Sequence, residues 1–235
     1  MDKFEEDILA VKDALERKFG AELRGEIRRL ADRLIELHKV NRVKINHSVM
    51  EYVLAIYLAA RGYEVDVEHP LENDLVADLV AIKDGKKTII EVETGFTSPE
   101  NALDPQGYLT ARVISKIARY SVHADKFSLA TPAHNILQIP TILLKPVRGR
   151  KAGEIKILKE LCDRYYATPT IALEKLVKMR LHLIYIINVD LLEVKQLTPG
   201  KYLKRFRNLC PDQKQIKKYL RAGLRSRVAY ERAPP

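Results

Sequence analysis

The stretch TIIEVETG, residues 88–95, begins as a buried strand and ends in acid. Thr88, Ile89 and Ile90 are β-branched, and Glu91 and Glu93 follow two residues apart, on one side of an extended chain. Just upstream, Asp84-Gly85 is a dipeptide suited to a two-residue type I′ turn between two strands. With that turn, partner numbers sum to 169: Lys83 faces Lys86, Val80 faces Ile89, Asp78 faces Glu91 and Val76 faces Glu93. Asp78, Glu91 and Glu93 then share one face at the end of the hairpin remote from the turn, where directly opposed Cβ atoms are roughly 5 Å apart. Like charges that close repel one another. A divalent cation removes the conflict. Mg²⁺ (or Mn²⁺) takes carboxylate oxygens, polarises a phosphodiester and activates a water. The competing reading is a solvent-facing sheet end whose acids pair with lysines. Lys83, Lys86 and Lys87 sit at the turn end, however, which is the wrong end to neutralise Glu91 and Glu93. A three-residue loop would shift every partner and undo the cluster.

A further acid lies upstream in SVMEYVLAIYLAARG, residues 48–62, a helix with Gly62 just past its end. Two readings of Glu51 stand side by side. Ser48-x-x-Glu51 has the spacing of a capping box, with Ser48 as N-cap, and Glu51 is also a candidate member of the metal site. An acid on one strand, a turn, then IIEVE on the next, preceded by a helix carrying Glu and then GY and a strand, resembles the PD-(D/E)XK nuclease superfamily. Within it the layout is most similar to archaeal Holliday-junction resolvases and related restriction-like endonucleases. The resemblance covers about residues 45–145. Two positions depart from the pattern: Ala77 precedes Asp78 where the family has Pro, and Glu93 occupies the lysine position.

The resemblance implies a metal-dependent deoxyribonuclease, an endonuclease in the favoured form. Asp78 and Glu91 would hold Mg²⁺ or Mn²⁺, with Glu93 as a further ligand or as the base for the water. Lys116 in ARVISKIARY is the candidate for a lysine that has migrated to the following helix. Arg112, Lys116 and Arg119 there share one side at spacings of four and three. They serve as phosphate contacts or as a solvated face. A homodimer is implied because cutting both strands needs two sites. The alternatives are a DNA-binding module that has lost catalysis on the same fold, and an RNA-directed nuclease.

The elements that must position these residues follow from periodicity. Phe4, Ile8, Val11 and Leu15, then Leu23, Ile27, Leu30, Leu34 and Leu37, mark two amphipathic helices broken near Gly20. They form a hairpin packed on the core or supply a dimer seam. After the helix at 48–62 come the alternating strand YEVDVEHP, the hairpin, a loop at TSPENALDPQG, the helix YLTARVISKIARYSVHAD and the strand KFSLATP. PTILLKPV reads as an extended segment, GEIKILKELCDRYY and PTIALEKLVKM as helices, and LHLIYIINVD as a central strand. The order α-β-β-β-α-β-α-α-β predicts an α/β protein: a restriction-endonuclease-like mixed sheet flanked by helices, with helical additions at both ends. The expected division is a helical hairpin over 1–40, a nuclease-like core over 41–192 and a basic helical extension over 193–235.

The charge is segregated. From Lys195 to Pro235 there are twelve Lys or Arg against Asp212 and Glu231, which accounts for the whole net charge of +10. Such a segment suits a polyanion, and DNA is the expected partner. PGKYLKRFRNL and PDQKQIKKYLRAG read as helices in it, offering Lys201, Lys204, Arg205, Lys217, Lys218, Arg221 and Arg225 to phosphates. The bland reading is a solvated tail that aids solubility. Apolar residues make up 46% of the chain, enough for a sizeable core, and the 31% of charged residues suits a heat-adapted protein. Two cysteines without CxxC spacing argue against a disulfide framework or a zinc ribbon. The first residues lack a signal-peptide apolar region, and LHLIYIIN is too short to span a bilayer, so the expected location is cytoplasmic. The six histidines show neither HxH nor HExxH, and no phosphate-binding glycine loop or GxSxG is present.

Overall fold

The structure is a computed structural model that describes residues 2–43, 45–72, 74–166 and 169–231, the side chains of 45, 46 and 223–231 excepted. It is an α/β protein with two compact units, each built from separated stretches of chain. The first comprises residues 1–94, 123–134 and 183–197, and the second 95–122, 135–182 and 198–235.

Among the described residues, three α-helices and a six-stranded mixed sheet make the first unit. Helix α1 (Lys3–Phe19) starts where the Asp2 carboxylate accepts a hydrogen bond from Glu5 N at 3.0 Å, and stops at Gly20, whose φ of 73° suits glycine. Helix α2 (Arg24–Lys39) returns beside it. Ile8, Leu15, Ile27, Leu30 and Leu34 are fully buried, so the two apolar stripes are consumed inside this unit. Each such side chain contributes about 2 kcal/mol on burial. Helix α3 (Ile45–Ala59) joins them, with the Tyr52 hydroxyl donating to the Ile27 carbonyl at 2.6 Å.

The strands lie in the order β1 (Glu64–Pro70), β2 (Val76–Lys83), β3 (Lys86–Val92), β4 (Lys126–Pro132), β5 (Leu183–Asn188) and β6 (Glu193–Leu197). β1–β2–β3 is an antiparallel meander, β3–β4–β5 is parallel, and β6 closes the far edge antiparallel to β5. Parallel partners need long crossovers, and both run through the second unit. The hairpin register is the one the turn predicts: Lys83 pairs with Lys86, Val80 with Ile89 and Leu79 with Ile90. Asp84 and Gly85 have φ of 51° and 70°, as a type I′ turn requires. β3 and β4 are buried over nearly their whole length, as strands with neighbours on both sides should be.

Three local expectations are corrected. α3 begins at Ile45, so Ser48 lies inside the helix and is not its N-cap; the capping-box reading of Glu51 fails. PTILLKPV forms a short 3₁₀ turn, Thr141–Leu144, and leads into a second, Val147–Gly149, because Pro140 and Pro146 break any ladder. LHLIYIINVD supplies β5, fifth of the six strands rather than central; it is paired on both sides, and β6 (residues 193–197) takes the edge outside it. The N-terminal helices and β6 group with the sheet, and the basic segment from Thr198 onward groups with the helical unit.

That second unit contains α4 (Pro105–Tyr120), α5 (Ala152–Tyr165), the short α6 (Leu173–Lys178), α7 (Pro199–Arg205) and α8 (Gln213–Glu231). Its core includes Val113, Ile117, Leu158, Leu161, Tyr202 and Ile216. Asp104 caps α4 and also accepts from the Tyr165 hydroxyl and from Arg164 at 3.4 Å, while Arg164 donates to the Tyr219 carbonyl at 2.8 Å. That network ties α8 to α5.

Candidate metal centre

β2 and β3 stop pairing at Leu79–Ile90, one step short of Asp78 and Glu91. Side chains take over there. The Asp78 amide donates to Glu91 Oε1 at 3.1 Å, and the Val92 amide donates to Asp78 Oδ2 at 2.6 Å. Each acid thus holds the backbone of the opposite strand, in a reciprocal clasp just past the end of the ladder. Each bond ties one oxygen of the carboxylate to the facing strand. Glu91 is 2% exposed, and Asp78 is half-buried.

Asp78 meets two residues of α3. His47 and Glu51 stand four apart on that helix, hence on one face. One ligand atom from each of His47, Glu51 and Asp78 lies within 4.8 Å of the others. Among the described residues this is the group of three such side chains close enough to be a candidate for holding a metal ion. His47 is 8% exposed and Glu51 is fully buried. Glu51, a candidate metal-site member from its sequence position, belongs to the group. His47 is the residue that sequence reasoning misses, because it forms neither an HxH nor an HExxH pair. The spacing His-x-x-x-Glu inside α3 is the signal that marks it.

Glu93 lies just past β3, with 2% exposure. Its amide donates to the Ala130 carbonyl at 2.8 Å, and its own carbonyl accepts from the Thr131 hydroxyl at 2.9 Å. Neither Glu91 nor Glu93 is among the three residues of the tight group. Glu68, half-buried on β1, falls opposite Asp78 by the β1–β2 register and adopts a left-handed φ of 48°. Asp66 bonds His69 at 2.7 Å.

Arg112, Lys116 and Arg119 are half-buried on α4, in the second unit. Arg112 donates to the Phe96 carbonyl and to the Tyr108 hydroxyl, each at 3.4 Å. Arg119 donates to the Pro169 carbonyl at 3.3 Å, with its guanidinium 5.2 Å from the centre of the Tyr166 ring. Arg119 therefore has a packing role within its own unit. Lys201, Lys204 and Arg205 on α7, and Lys217, Lys218 and Arg221 on α8, are exposed, while Tyr202, Leu203 and Ile216 of the same helices are buried. The basic segment is thus a folded surface. The Arg225 side chain lies outside the described residues.

No helix among the described residues is long and apolar enough to cross a membrane. Comparison of this chain with protein-family models, with curated proteins and with solved structures gives no match.

Proposed function

We propose that this chain is a metal-dependent phosphodiesterase that cuts DNA, on a restriction-endonuclease-like form of its α/β fold. The convergence of His47, Glu51 and Asp78 within 4.8 Å carries the reading. Opposite ligands of an octahedral ion bound at about 2.1 Å are about 4.2 Å apart, so small side-chain shifts bring the group to ligand distance. Two carboxylates and a neutral imidazole match the charge of a divalent cation. When bound, the ion supplies Lewis-acid polarisation of the phosphodiester and a more acidic water.

The chain's own residues do the rest. Asp78 and Glu51 bind, and the Val92 amide keeps the Asp78 carboxylate oriented. Glu91, held by the Asp78 amide, offers a further carboxylate beside the site. Glu93 takes the proton of the attacking water, a base role in place of the family's lysine. The exposed cations of α7 and α8 contact phosphates, so affinity is strongly salt-dependent and largely sequence-independent. As in the family it resembles, the protein would act as a homodimer to cut both strands.

The test is a cleavage assay on plasmid, linear, single-stranded and four-way-junction DNA, in Mg²⁺, Mn²⁺ or EDTA, with wild type, Asp78→Asn and Lys116→Met. Metal-dependent cutting by wild type and none by Asp78→Asn is expected. A loss with Lys116→Met would support the role that the resemblance gives this lysine. Glu93 at the lysine position favours a second reading, a DNA-binding module without catalysis. DNA retention with no cutting in any metal would select that reading and overturn the first.

A further inference from the structure

We propose that His47 makes this centre a site for a first-row transition ion, with Mn²⁺ bound in preference to Mg²⁺. The inference rests on the reading of His47, Glu51 and Asp78 as ligands and goes on to name the ion. The three residues supply one nitrogen and two carboxylates from two rigid elements, α3 and β2. His47 is 8% exposed and Glu51 fully buried, so the triple is largely shielded from water.

The nitrogen then decides among cations. Mg²⁺ is hard, demands oxygen and keeps most of its waters. Imidazole donors favour the transition series, in which affinity rises from Mn²⁺ onward. A site meant for Mg²⁺ alone would be better served by a third oxygen at position 47. Placing the imidazole one helical turn before Glu51 aims both side chains at Asp78 from a single face, with no loop to order on binding. The selectivity is therefore built into the helix.

The experiment reads the ion directly in the full-length chain. Mn²⁺ binding is followed by its free-ion EPR signal, with Mg²⁺ as competitor, and nitrogen ligation by electron spin-echo modulation. Wild type should bind Mn²⁺ at least about tenfold more tightly than Mg²⁺ and show ¹⁴N modulation that changes on ¹⁵N-histidine labelling. In His47→Asn the modulation should vanish and the Mn²⁺/Mg²⁺ ratio should fall about tenfold or more. Mn²⁺ bound by wild type without histidine modulation would overturn the inference while leaving the nuclease reading intact. Failure of wild type to bind any divalent ion would remove both. The labelled wild-type measurement decides the matter even if the variant does not fold.

Discussion

Asp78 does two things at once, and substitutions separate them. Its Oδ2 accepts the Val92 amide, and its charge serves the group with His47 and Glu51. Asparagine keeps an oxygen for Val92 and removes the charge, whereas alanine also frees the strand. In EDTA, Asp78→Ala should lose about 1.5–3 kcal/mol of stability, the worth of a charge-assisted bond, and Asp78→Asn much less. Denaturant unfolding of the two variants checks this. With Mn²⁺ at about 100 times its dissociation constant, wild type should gain about 2.7 kcal/mol, and both Glu51→Gln and Asp78→Asn should lose most of that gain. A second residue-scale prediction concerns the thiols. Burial pushes the Cys162 thiol up to about 12 and raises that of Cys210. Neither should react with a thiol reagent at about pH 8 unless denaturant is added. Because the folded value is raised, the Cys162 contribution to stability is intact below the ordinary value of 9.0 and is lost as pH rises toward about 12. The closeness of Asp78 and Glu91 is legible in the sequence because a two-residue turn fixes the register by arithmetic. His47 is not, because a helix read from Ser48 leaves it outside the periodic segment. The same late start gives Glu51 a capping role that the helix beginning at Ile45 denies it.

At the scale of elements, the hairpin turn is a clean test of the register that locates the acids. Gly85 has φ of 70° and nothing within 4 Å of an added Cβ, so Gly85→Ala carries only conformational strain. It should cost about 1–2 kcal/mol, with Mn²⁺ binding unchanged, since the turn is at the far end of the hairpin. A melting curve with and without Mn²⁺ measures both. Elements with a strong period are readable: α1, α2, α4, α5 and the hairpin strands all match their apolar spacing. Those that differ have no such guide. PTILLKPV is apolar without alternation, and its two prolines, not its hydrophobicity, determine its course. That β5 is interior and not the edge depends on β6, whose sequence EVKQL is polar and largely exposed as befits an edge, and so carries little signal of its own.

Over the whole molecule, much of the excess charge of +10 that begins at Lys195 sits on α7 and α8, at Lys201, Lys204, Arg205, Lys217, Lys218 and Arg221, on helices with buried apolar sides. Deleting residues 195–235 would therefore remove part of β6 and the buried Tyr202 and Ile216, and would report unfolding rather than DNA binding. Charge substitution is the sound test. Lys201, Lys204, Lys217 and Lys218 are exposed, and changing all four to Gln should leave the melting temperature nearly unchanged. DNA affinity at low salt should fall, and the slope of log affinity against log salt should flatten by up to about 0.9 for each phosphate no longer neutralised. An unchanged slope would move the polyanion surface elsewhere. The interleaving of the two units has a further consequence during synthesis. α1, α2, α3 and β1–β2–β3 leave the ribosome as one continuous stretch, Lys3 to Val92, whereas β4 follows at Lys126 and β5 only at Leu183. The acids thus lie on the part of the sheet with the most local pairing, where closing contacts costs the least chain entropy. Until β4 arrives, the apolar β3 is an open edge. Such an edge is a template for pairing with another chain, so a chain truncated after Val92 should aggregate where the full chain does not, as light scattering would check.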